Sequence, residues 1–342
     1  MNWSAIGSCQ SFFRTFLSLM QSGQGHSVLR AHLEHLSVCA VFLVAWLSIA
    51  CSRGTNTVAP TPAPSAIEYF AAWGTRGDGP GQLDVPVAMA VDNDSNVFVA
   101  DAGSGYIQKF SVGGEPRLSF QDDRLNVHPT DIAVDAGGGI YVADGKRGNI
   151  QIYAPDGKHY MELGTGAPPA VRPSLRIAVD AYGTLYVAGT KPFEIRKWNA
   201  GSRHLEVWAG GPTGPGLGGV EDPAALTIGG DGLVYESEAA SGEIKVYGVS
   251  GDLVRTVTLP GDSGGARFSG IATNGKFIFA ADARDPVLHV WKLDGSDYLR
   301  EDLSSWISGG VETKRKIAVT PSGKLLILDP LSCRVLRFRL HL

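Results

Sequence analysis

The chain has 342 residues and a formal net charge of −4; 44% of it is apolar and 19% charged, with 44 Gly and 19 Pro. Turn formers at that density exclude a helical bundle or coiled coil, and the apolar content excludes a disordered chain. With 30 basic against 34 acidic residues, bulk nucleic-acid binding is not favoured. Such a composition predicts many short strands separated by turns.

Residues 36–50 carry no charge and lie between His35 and Arg53. The run is short for a membrane span and sized for the apolar region of a secretory signal peptide. It ends in Ser48-Ile49-Ala50-Cys51, which resembles a bacterial lipoprotein signal, although Leu47 stands one place further from the Cys than is usual. The resemblance implies that Cys51 is lipidated and becomes the mature N-terminus. Cleavage after Ala50 without a lipid, and an uncleaved anchor, are the alternatives. Ser52 in place of Asp after the Cys implies the outer membrane in a Gram-negative host. Residues 1–27 are long and rich in Ser and Gln for the front of a signal, and a start at Val28 would leave Arg30 as its basic front. The expected organisation is a signal over 1–50, a Pro/Thr/Ser tether over 51–66 that stays extended, and one folded domain over 67–342. An acylated Cys51 would leave Cys333 as the free thiol of the mature chain, so no disulfide is expected.

From residue 67 the chain is repetitive. Ile67-Glu-Tyr-Phe-Ala-Ala-Trp73 is an orphan strand. A first strand then recurs as five-residue strings starting at Ala88, Asp131, Arg176, Ala225, Gly270 and Lys316. The second strands read VFVAD, IYVAD, LYVAG, VYESE, IFAAD and LLILD, the third IQKF, IQIY, IRKW, IKVY, LHVW and VLRF. Each third strand ends on an aromatic. Five of the six units continue through a Gly-containing turn into a fourth strand. This spacing predicts an all-β, six-bladed β-propeller of four-stranded antiparallel blades, in which blades seal one another radially. The sixth unit lacks a fourth strand, so the orphan strand is expected to complete the last blade and remove the exposed edge.

Gly74-x-x-Gly77-x-Gly79-x-Gly81-Gln82-Leu83, Pro86 and the AVD, VFVAD and IQKF strings resemble the NHL repeat, a six-bladed propeller module. The resemblance covers about four fifths of the chain, is plainest in the first two units, and degrades in the last three.

The recurrent Asp101, Asp144, Asp282 and Asp329 read as turn-fixing carboxylates, because a catalytic group is needed once. Asp92-Asn-Asp94-Ser-Asn96 mimics the start of a calcium loop but lacks its Gly and Glu, so it reads as a hairpin turn. His159, His204 and His289 are placed on third and fourth strands, and Cys333 as an idle thiol. Candidate ligand-binding residues lie just before each first strand and in the second-to-third-strand loops, which share the central face: His128, Asp131, Arg172, Arg176, Asp222, Arg267, Arg284, Arg315 and Lys316. The basic members suit carboxylate or phosphate groups.

No cofactor is predicted, and an axial divalent metal lacks a full ligand set, with only His128, Asp131 and Asp222 near it. No nucleophile-elbow string is present. The expectation is therefore an extracytoplasmic, membrane-tethered binding module for an anionic ligand: an envelope protein, a peptide or an acidic glycan. It is expected to be monomeric and without a nucleic-acid partner. The alternative is a metal-dependent lyase or lactonase-like propeller enzyme.

Overall fold

Alternating apolar positions and Gly-rich turns produce six sheets, each of four antiparallel strands. The computed structural model describes residues 65–342 except 123–127, 165–174, 191–193, 203, 211–219, 221–222, 240, 261–266, 308 and 310–312. The signal segment, the tether, Cys51, Arg172 and Asp222 lie outside the described residues.

Within blades 1 to 5 the strands follow chain order from the axis outwards. The inner strands are Pro86–Val91, Pro129–Val134, Arg176–Val179, Pro223–Ile228, Phe268–Thr273 and Lys316–Val319. Each touches the inner strand of the next blade, and the sixth returns to the first. In blade 6 the outermost strand is Ile67–Trp73, paired antiparallel with Arg334–Leu340, in register from Ile67 opposite Leu340 to Trp73 opposite Val335. The orphan strand thus closes the ring as expected. Among the described residues there are strands and turns and no helix.

The apolar material divides into six buried clusters, one for each interface between neighbouring blades. A blade has two apolar faces, and only a neighbour on each side can cover both. The third-strand aromatics Phe110, Tyr153, Trp198, Tyr247, Trp291 and Phe338 are all buried, filling the gaps that widen away from the axis. Some also meet an aromatic from the preceding blade. Trp73 of blade 6 packs on Phe110 of blade 1 with ring centroids 4.7 Å apart, and Phe120 of blade 1 packs on Tyr153 of blade 2 at 5.0 Å. Gly114 is what admits Trp73: its φ is +93°, and a Cβ there would lie 2.4 Å from the indole.

In blades 1, 2 and 5 the leading segment is tied to its own second-to-third-strand loop, which gathers both on one face. Ala102 N–H donates to the Val85 carbonyl at 2.9 Å, Gly145 to His128 at 3.0 Å, and Ala283 to Arg267 at 2.7 Å. The recurrent Asp fixes this junction. Asp101, fully buried, accepts the amides of Asp84, Val85, Gly103 and Ser104 at 2.6–3.1 Å. Asp144 and Asp282 each accept two loop amides, and Asp329 accepts the Leu331 amide and the Ser332 hydroxyl. The Asp92 carboxylate likewise turns inward onto the Asp94 and Asn96 amides, closing a hairpin.

Two placements differ from the sequence reading. His204 precedes its strand, which begins at Glu206. The inner strands of blades 1, 2, 4 and 5 start two residues earlier than their repeated strings, and each carries a register shift there, as between Pro129 and Asp131. A bulge of this kind re-aims the side chain that follows it.

Candidate functional site

The six inner strands are each paired on one side only, so their other edges face the axis. They enclose a channel of about 250 Å³ lined by residues of all six blades. The first residues of the repeated strings stand at matching places in the six blades, and four of them, Asp131, Ala225, Gly270 and Lys316, line this channel. Three are small: Ala88, Ala225 and Gly270. The other three are ionisable: Asp131 in blade 2, Arg176 in blade 3 and Lys316 in blade 6.

These three charged residues are buried and form one cluster. The Asp131 carboxylate accepts the amides of Ile132 and Ile177, both at 3.1 Å, so it bridges the edges of two inner strands. Lys316 Nζ approaches Asp131 Oδ1 at 3.6 Å from across blade 1, where Ala88 leaves room. Arg176 donates to the backbone carbonyls of Ala224 and Leu175. Burial holds the Lys316 ammonium down to about 8 from its ordinary 10.5; Arg176 and Lys314 push the same way, and Asp131 opposes them. A cation in such a position lowers stability unless a partner balances it, and sites built for binding or chemistry carry groups of this kind.

Gly270 belongs to the same arrangement. A Cβ there would lie 2.7 Å from the Arg315 carbonyl oxygen and 3.1 Å from Lys316 Cα. Only glycine lets the inner strands of blades 5 and 6 approach so closely, and that approach sets where Lys316 enters the channel. Ser269 Oγ reinforces it by donating to the Arg315 carbonyl at 3.0 Å.

The remaining predicted residues separate into two groups. His128 and Arg284 are exposed and Arg267 is half-buried, all on the face that surrounds the mouth, where Lys314 is also exposed. Arg315 is turned the other way. It is 1% exposed, and its guanidinium donates to the carbonyls of Asp282 and Asp285 at 2.9 and 3.2 Å, bracing the blade 5 loop against blade 6. Burial lowers its pKa. The structure thus brings together Asp131, Arg176 and Lys316, puts His128, Arg267 and Arg284 around them, and makes Arg315 a strut.

Other polar groups are taken up within the scaffold. His289 hydrogen-bonds Tyr298 at 2.8 Å and lies 3.6 Å from Asp282. Cys333 is buried beside the Asp84 carbonyl, and burial pushes its thiol pKa up, which suits an idle thiol rather than a nucleophile. A feature outside the sequence reading is the second position of the third strand. It holds Gln108 and Gln151 in blades 1 and 2, but ion pairs in blades 3 and 4, Arg196 with Glu194 and Lys245 with Glu238. The signal lay in the alternation of polar residues at that position. Among the described residues, no three His, Cys, Asp or Glu side chains are grouped so as to hold a metal ion.

The NHL-repeat family profile matches residues 126–153, which is the core of blade 2. No curated protein sequence matches the chain. Among solved structures, streptogramin B lyase is 14% identical, covering 80% of this chain and 97% of that one at a TM-score of 0.56. Kuenenia stuttgartiensis hydrazine synthase is 14% identical over 75% of this chain and 96% of the other, at 0.53. A nidogen/laminin complex is 20% identical over 65% and 81%, also at 0.53. At these identities the likeness is one of fold. The chain is a six-bladed β-propeller whose residues 126–153 match the NHL repeat.

Proposed function

We propose that this propeller is a recognition module that binds an anionic ligand, an acidic peptide, protein surface or glycan, on its central face. The observation that carries the reading is the buried Asp131–Arg176–Lys316 cluster, at a ring position where the other three blades hold Ala or Gly. Residues recurring in every blade describe the scaffold. These three break the repeat at the place where six strands converge, and propeller pockets form at such places. Around them Arg267, Arg284 and Lys314 extend the positive character outward.

The rim is the clean place to test this, because Arg176 is tied into the backbone. The combined variant Arg267→Ala, Arg284→Ala, Lys314→Ala is expected to bind polygalacturonate or poly-glutamate about tenfold more weakly, with the loss shrinking as salt is raised. Titration calorimetry against neutral dextran as control measures it. Equal binding by variant and wild type would remove the claim.

The same proposal places the module outside the cytoplasm, held to a membrane by a lipid on Cys51. Its support is the apolar run over 36–50, the Ser48-Ile49-Ala50-Cys51 ending and the Pro/Thr-rich stretch behind it. Cells fed a labelled fatty acid should transfer label to the wild-type chain and not to Cys51→Ser. Label in both, or in neither, counts against the anchor.

A further inference from the structure

The mouth of the channel already shows how it holds a carboxylate. Asp131 is bound by two edge amides, from blades 2 and 3, and faced by one ammonium. The pairing register repeats round the ring, so Leu226, Ile271, Ile317 and Met89 occupy the strand positions matching Ile132 and Ile177. In blades 4 and 5 the residue before that amide is Ala225 or Gly270, where blade 2 has Asp131. That part of the ring has the edge but no carboxylate of its own.

Lys316 stands between the two halves. Its side chain is 9% exposed and lines the channel, yet the partner facing it, Asp131, lies at 3.6 Å, beyond direct hydrogen-bond length. An ammonium has three donors to satisfy.

We propose that the channel mouth receives one carboxylate of the ligand, seated against the blade 4 and blade 5 strand edges opposite Asp131 and held by Lys316. This rests on the reading that the central face binds an anionic ligand, and it names the group that enters the channel. A C-terminal peptide carboxylate and the carboxylate of a uronic acid share the required chemistry.

The test uses the full chain and four probes: N-acetyl-Ala-Ala as the free acid and as the C-terminal amide, and glucuronate with glucose as its neutral counterpart. The two acids are expected to compete for one site while the amide and glucose do not bind, and the tighter acid identifies the source. Lys316→Met is expected to lose at least tenfold in affinity without a fall in Tm, since it removes a buried cation. Ala225→Asp is expected to lose binding as well, because it supplies a tethered carboxylate at the place the ligand would take. Lys316→Arg separates charge from packing. The groups facing Lys316 are Asp131, Arg176 and Lys314, and its ammonium is present below about pH 8 and lost above. Wild-type affinity should therefore be level from pH 6 to 7 and fall above 8, and the Arg variant should stay level throughout. Wild-type binding of the acids by both Lys316→Met and Ala225→Asp overturns the proposal. If the rim variant still weakens polyanion binding in that case, the broader reading survives alone. If no acidic probe or polymer binds, both fall.

Discussion

A chain beginning at Gly74 is expected to lose its cooperative thermal transition and aggregate, while a chain beginning at Ser65 keeps it. Without Ile67–Trp73 the last blade has three strands, and the outer edge of Arg334–Leu340 is left without its antiparallel partner. Ile67 is 2% exposed within the cluster between blades 5 and 6; Tyr69 packs against the same cluster and Trp73 against the one between blades 6 and 1. Burying one such side chain contributes about 1.5–3 kcal/mol. Losing Ile67 with the partly buried Tyr69 and Trp73 removes about 4 kcal/mol, a large share of the net stability of a typical domain, about 5–15 kcal/mol. The vacated edge also becomes a template for another chain. Differential scanning calorimetry with light scattering distinguishes the behaviour of the two chains. A clean two-state transition within a few degrees of the longer chain would show that the strand is dispensable.

The second large effect is expected at Asp101. Its carboxylate gathers four amides from two loops, and Asp101→Ala leaves those donors without an acceptor in a site closed to water. Charge-assisted bonds of this kind contribute about 1.5–3 kcal/mol each when taken singly, and as a coupled set less than their sum. A loss of about 4 kcal/mol, seen as a fall in Tm of about 10 °C, is the expected outcome. Asp101→Asn keeps one acceptor oxygen and should lose about half as much. Asp94→Ala, in the exposed hairpin turn, should change Tm by a degree or two. A shift of that size at Asp101 would mean that the repeated carboxylate does not hold the loops.

Much of the ring was legible because its signals are local. VFVAD, IYVAD and VYESE are the second strands from end to end, since each is a five-residue run, buried throughout, between two polar turns. Closure was legible too, from one strand missing at the end and one left over at the start. The site was less so. Arg315 and Lys316 are neighbours that read alike, yet one braces a loop and the other lines the channel. Alternation along a strand sends adjacent side chains to opposite faces, and which goes where depends on the register at the strand's start. In blade 6 the inner strand begins at Lys316 and leaves Arg315 just before it, whereas in blades 1, 2 and 4 the register is set by bulges after Pro86, Pro129 and Pro223, of which the proline gives only an indirect sign. Likewise, Asp131 and Lys316 come from blades that are not neighbours. Their meeting follows from the small residue at Ala88 between them, a consequence of ring geometry rather than of any motif.

The pairing of Ile67 with Leu340 also imposes an order in time. A chain made or threaded through a membrane from its N-terminus presents the closing strand before its partner. Until Arg334–Leu340 emerges, blades 1 to 5 can each form from nearby sequence, but the circle stays open and Ile67–Trp73 has nowhere to dock. Loss of Arg334–Leu340 would therefore leave Ile67–Trp73 unpaired as well, and synthesis interrupted before it yields an open arc of blades whose two terminal faces are bare. Emergence of that one strand is what shuts the ring.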